Sequence, residues 1–227
     1  MIFTYLKKKF GKKDKEVSVT EQFYTPLRIA LHSTLELQTV DMIVLQSVLN
    51  PSFVLPSGPL EVLAIGSFTM DGTPIHQVYV KDFAGEEFVL QIVEGKNYRT
   101  QEPTVDELTL YKQIVTLEPE TDAELQRYLG DIGFDEIEVE EITYSRYWGD
   151  AYTEKVDFRK FEEKVITPSG PEQFTDEYLL YGREIDSPIR GECVTEYLLV
   201  GIEEGTHSAQ IMMQVGLKIN PTDITVQ

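Results

Sequence analysis

Residues 61–93 read EVLAIGSFTMDGTPIHQVYVKDFAGEEFVLQIV. Three runs within it, Glu61–Phe68, Ile75–Val80 and Glu87–Val93, are rich in β-branched and aromatic residues, and the breaks between them hold turn formers, Asp71-Gly72-Thr73 and then Asp82–Glu86 with Gly85. Branched and aromatic side chains suit a pleated, half-buried surface, and breaks this short return the chain beside itself. The stretch therefore predicts a three-stranded antiparallel meander, entered through the rigid turn Pro56-Ser57-Gly58-Pro59.

Strand signals continue outward on both sides. Downstream, Leu108–Leu117 is again β-branched and aromatic until Pro119 stops it. Thr121-Asp122-Ala123-Glu124 then forms a capping box, so Thr121 opens a helix that Gly130 ends. The last third returns to strands at Glu177–Ile185, Val194–Ile202 and Ala209–Ile219. The final run has a strict period of two, with Ala209, Ile211, Met213, Val215, Leu217 and Ile219 on one face. Upstream, Thr25-Pro26 has the form of an N-cap before a first-turn proline and points to a short helix around 26–33, while Leu35–Val48 reads as two strands interrupted near Asp41. The expected fold is α+β and predominantly antiparallel β, with about nine or ten strands and few short helices. It makes one acidic domain over residues 20–227, with Pro168-Ser169-Gly170-Pro171 as the place for a subdomain break.

The 227 residues carry 20 Lys+Arg against 39 Asp+Glu, a formal net charge of −19. That figure joins two opposite parts. Residues 1–15 hold six lysines against Asp14, or +5, which leaves 14 basic and 38 acidic residues downstream, or −24. A body of that charge repels DNA, RNA and anionic lipid, so nucleic acid is not an expected partner. The basic arm, residues 1–19, has its own pattern. On a helix, at about 100° per residue, Ile2, Phe3, Leu6 and Phe10 form a stripe flanked by Lys7 and Lys9, with Lys8, Lys12 and Lys15 opposite. Phe3, Leu6, Lys7, Lys8, Lys9, Phe10, Lys12 and Lys13 are accordingly the expected contacts to an anionic membrane surface or to a protein partner. The alternative is a solvated tail, or one that packs back on the body.

Cys193 is the one cysteine, so no intrachain disulfide forms and no Cys-x-x-Cys is present, which fits a reducing compartment. The apolar start Met1–Leu6 is cut short by Lys7, and no run of about 20 apolar residues exists anywhere. The expected location is the cytoplasm, extended by the arm to the periphery of an inner membrane.

The motifs that announce chemistry are missing from the sequence. There is no phosphate-cradling G-x-x-x-x-G-K-[ST], no G-x-G-x-x-G after a strand and no G-x-S-x-G. His32, His76 and His207 stand far apart and without metal-ligand spacing, so no catalytic residue, cofactor or metal is assigned. Two stretches stand out as ligand surfaces. On a strand, Glu136, Glu138 and Glu140 share one face at about 7 Å spacing; such a row attracts a divalent cation or a polyamine, or else guards a sheet edge. Arg146, Tyr147, Trp148 and Tyr152 put the only tryptophan beside an arginine and two tyrosines, a composition found in binding platforms and equally at strand ends.

Taken together, Leu55-Pro56-Ser57-Gly58-Pro59, Ala64-Ile65-Gly66, the Glu87–Val93 run, Tyr147-Trp148-Gly149 and Glu196-Tyr197-Leu198-Leu199-Val200 with Glu203-Glu204 resemble the YjfK-like family of uncharacterised bacterial proteins, over residues 20–220. The resemblance implies a bacterial cytosolic protein encoded near homologues of the PspA membrane-stress protein and near enzymes resembling glutathionylspermidine synthase. It supplies no functional residues. Two readings follow: an accessory protein of an envelope-stress or membrane-associated system, with a PspA-like protein as partner, or a binder of polyamines or small cations, or an enzyme on such a substrate, through Glu136, Glu138 and Glu140.

Overall fold

A computed structural model describes residues 25–150, 152–188, 193–204 and 209–227. The expected meander is there as β2 (Leu60–Met70), β3 (Thr73–Lys81) and β4 (Glu87–Lys96), and β5 (Pro103–Leu117) extends it. Before it runs β1 (Thr34–Leu37); after it come β6 (Glu136–Val139), β7 (Ile142–Arg146), β8 (Arg159–Thr167), β9 (Gly170–Asp186), β10 (Cys193–Glu204), β11 (Ala209–Lys218) and β12 (Ile224–Val226). All twelve belong to one sheet, in the order β12-β1-β2-β3-β4-β5-β11-β10-β9-β7-β6, with β8 off this path and paired to both β2 and β9. Every pairing is antiparallel.

The double pairing of β8 closes the sheet. Hydrogen bonds run from β2 through β3, β4, β5, β11, β10, β9 and β8 back to β2, while β1 with β12 and β7 with β6 branch from β2 and β9. The joint is unequal: β8 meets β9 from Arg159↔Tyr178 to Thr167↔Gly170, but meets β2 only at Ile65↔Ile166, Gly66↔Val165 and Ser67↔Lys164. Pro168 and Ser169, where a subdomain break was expected, form the two-residue turn of the β8–β9 hairpin.

Successive strand residues point to opposite faces, and both faces are filled. One carries Ile65, Val78, Leu90, Leu110, Leu179, Leu198, Val200 and Val215, which join the large core. The other carries Phe68, Ile75, Val89, Tyr111, Tyr178, Tyr197 and Leu199 in a second, aromatic cluster. The segment leading into β2 lays Ile29, Leu35, Met42, Leu45, Leu49 and Phe53 on the large core.

Two expectations fail in that segment. No helix forms over 26–33: Thr25 Oγ1 does accept from Ile29 N, at 2.9 Å, but Arg28 (φ 57°) and His32 (φ 67°) leave the helical region. Of the two strands read in Leu35–Val48, the second is a helix, α1 (Val40–Leu45), which buries Met42 and Leu45. The branched residues there resemble a strand, but burial at spacing three wins over propensity. The capping box holds: Thr121 Oγ1 accepts from Glu124 N at 3.2 Å and opens α2 (Asp122–Tyr128).

Candidate functional site

The β2–β8 joint leaves a gap. Past Ser67↔Lys164 the two strands part, although β2 runs on to Met70 and β8 begins back at Arg159. An open groove of about 520 Å³ lies there, lined by Ser67, Phe68 and Thr69 of β2, Pro74 and His76 of β3, and Lys160, Phe161 and Glu162 of β8. The rings of Phe68 and Phe161, 4.9 Å apart, bridge the parted strands, and Arg159 Nη1 to Asp71 Oδ2, 3.0 Å, ties β8 to the β2–β3 turn.

Its polar groups are held individually. His76, 6% exposed, sits opposite Ser67 in the β2–β3 register, with Nε2 3.0 Å from Glu94 Oε2 and a buried Nδ1 that meets no hydrogen-bond partner. A carboxylate only accepts, so the ring nitrogen facing Glu94 carries a proton, and in the neutral form of the ring Nδ1 is then an acceptor. Glu162 accepts from Thr175 Oγ1 at 3.0 Å and Gln173 Nε2 at 3.3 Å, and Lys160 Nζ lies 2.9 Å from Glu177 Oε1. On the other face of the sheet, Tyr79 Oη lies 2.8 Å from Gln77 Oε1 and 3.0 Å from Glu163 Oε2; burial first, and then the Glu163 charge, push its ionisation far above the usual tyrosine range. A smaller cavity of about 280 Å³ near the start of β4 is lined in part by the buried Lys112, whose Nζ contacts Glu86 Oε2 at 2.5 Å and lies over the Phe88 ring.

The ligand surfaces expected from the sequence are arranged differently. Glu136 and Glu138 do share the exposed face of β6, opposite Ser145 and Thr143. Glu140 leaves that row, because β6 ends at Val139 and Glu140 turns the chain with φ 52°; its Oε1 accepts from Ser52 Oγ at 2.8 Å. Arg146 is spent inside its own loop: the guanidinium, 5% exposed, donates to the carbonyls of Gly133, Asp150 and Thr153 and pairs with Asp135 at 2.6 Å. Trp148 packs on the aromatic cluster under Arg159, Tyr147 meets Tyr197 edge-on at 5.4 Å, and Tyr152 stands 98% exposed. Phe3, Leu6, Lys7, Lys8, Lys9, Phe10, Lys12 and Lys13 lie outside the described residues. The His76–Glu94 couple escaped the sequence reading because eighteen residues separate the two, and only the β3–β4 register brings them together.

Among the described residues no group of three or more His, Cys, Asp and Glu is placed to hold a metal ion, and no helix is long and apolar enough to cross a membrane. No curated protein and no solved structure matches the chain. Residues 5–225 match the model of the family described as Protein of unknown function (DUF2491), and the chain belongs to that family.

Proposed function

We propose that this chain is a non-enzymatic interaction protein of a bacterial envelope-stress or membrane-associated system, in which the acidic body takes a protein partner and the basic arm takes an anionic lipid surface or that partner. The supporting observation is α1. Its inner side chains, Met42 and Leu45, are buried, yet Val40, Ile43 and Val44 stand 72%, 56% and 38% exposed along its outer side. An apolar stripe kept in water has no folding benefit and fits the groove of a partner. The −24 body selects a partner whose groove has a basic rim. The resemblance to the YjfK-like family makes a PspA-like protein the first partner to try, at the inner face of the membrane.

The test titrates a purified PspA-like protein against the full chain and against Val40→Ser/Ile43→Ser/Val44→Ser. These side chains are exposed, so the variant keeps its fold, and binding should fall by about tenfold or more. Equal binding by both chains removes α1 from the interface; no binding by either removes the partner. Flotation with anionic vesicles, with and without residues 1–15, tests the arm, and flotation unchanged by the deletion removes the lipid contact. A second reading, small-cation or polyamine binding, is favoured by the groove between β2 and β8, whose lining holds the Glu162 carboxylate and a lysine already paired with Glu177.

A further inference from the structure

We propose that the groove between the parted ends of β2 and β8 is a binding site for a small organic ammonium ion. This rests on the small-cation reading but moves it from the Glu136–Glu138 face to a different place. Three features carry it. Where two paired strands separate, backbone carbonyls and amides along the gap lose each other as partners and become available to a guest. The gap begins after Ser67↔Lys164, and the groove occupies it.

The second feature is the sign of the lining. Glu162 brings a carboxylate already oriented by Thr175 and Gln173, and Ser67 and Thr69 bring hydroxyls that accept. The lysine at the rim, Lys160, is matched by Glu177 at 2.9 Å. The floor, Phe68 against Phe161, offers aromatic rings of the kind that attract cations. An alkylammonium ion supplies three donors to such a set, whereas an ionised carboxylate supplies none.

The third feature is His76, nine-tenths buried in the groove wall. Its Nε2–H is committed to Glu94 and its Nδ1 has no partner. A buried acceptor left unpaired is unfavourable, and a guest N–H that reaches Nδ1 removes that penalty. The Glu94 carboxylate behind the ring strengthens Nδ1 as an acceptor, in the way a carboxylate behind a metal-bound histidine does.

Calorimetry at physiological salt with n-butylammonium, using n-butyrate and n-butanol as matched probes, tests the site on the full chain. Saturable binding of n-butylammonium alone is expected. It should weaken about tenfold in Glu162→Gln, an exposed position where folding is safe, and in His76→Phe, while Glu138→Gln binds like the parent. If His76→Phe does not fold, Glu162→Gln decides. Binding that ignores Glu162→Gln but disappears in Glu136→Gln/Glu138→Gln overturns the site and leaves the small-cation reading standing. Tighter binding of n-butyrate, or no saturable binding of n-butylammonium, overturns both.

Discussion

Arg183 donates through Nε to Glu196 at 2.5 Å, and Glu196 has no exposed surface. The same carboxylate accepts from Asn50 N at 2.6 Å and from Tyr144 Oη at 3.0 Å, while Arg183 Nη2 reaches the Val48 carbonyl at 2.9 Å. One buried ion pair thus joins β9 and β10 to β7 and to the segment that follows α1. Removing one partner leaves the other charge buried without compensation, so Arg183→Met should cost about 3–5 kcal/mol. Arg183→Met/Glu196→Leu should recover part of that loss. Urea unfolding checks both, and a double variant no more stable than the single one would show that the pair is not the origin of the effect.

The β6–β7 hairpin turns on Glu140 and Glu141, at φ 52° and 64°, between the paired Val139 and Ile142. Two positive φ values in a two-residue loop suit Asn-Gly and strain most other residues. Glu140→Asn/Glu141→Gly should therefore stabilise the protein by about 1 kcal/mol, even though the exposed Ser52–Glu140 hydrogen bond is lost. A lower urea midpoint would contradict this.

The ring of Tyr111 lies directly over Gly216, its partner in the β5–β11 register, where a Cβ would collide with it. Gly216→Ala should destabilise by about 1–3 kcal/mol, the usual cost of overpacking. The same change should cost less in a Tyr111→Leu background. A double-mutant cycle with no coupling between the two would refute the contact as the cause.

Burial raises the ionisation of Tyr79, Tyr111 and Tyr144, and the charges of Glu163, Glu107 and Glu196 add to it respectively. The folded chain holds these protons more tightly than the unfolded chain, which releases them near the ordinary tyrosine value of 10.0. Their contribution to stability is therefore complete below that pH and declines above it, by about 1.4 kcal/mol per pH unit for each tyrosine. Urea midpoints measured across alkaline pH should fall, and fall less steeply in Tyr111→Phe. Parallel slopes for the two proteins would exclude Tyr111.

Local chemistry was legible where it acts alone. The meander over 61–93, the strand ending near Leu117, the Thr121 cap and the strand character of β11 follow from side chains that prefer a pleat or a cap, although both faces of β11 are buried, Met212 and Gln214 included. β8 was not legible, because Arg159-Lys160-Phe161-Glu162-Glu163-Lys164 is too charged to read as a strand and becomes one only between β2 and β9. The groove depends on that unread strand, and the His76–Glu94 couple depends on a register. β12 was missed for the same reason, since it is three residues long and owes its conformation to β1 beside it.

The short β2–β8 joint bears on how the chain is assembled. Its three residue pairs link positions 65–67 to 164–166, whereas β9 and β10 share eleven pairs across a short loop. Bringing the distant segments together is entropically costly until the intervening chain is ordered. The meander and the β9–β10–β11 hairpins are therefore the early structures, and β8 is the latch that shuts last. With the β2–β8 joint open, the unlatched edges on β2 and β8 can recruit a strand from a second molecule.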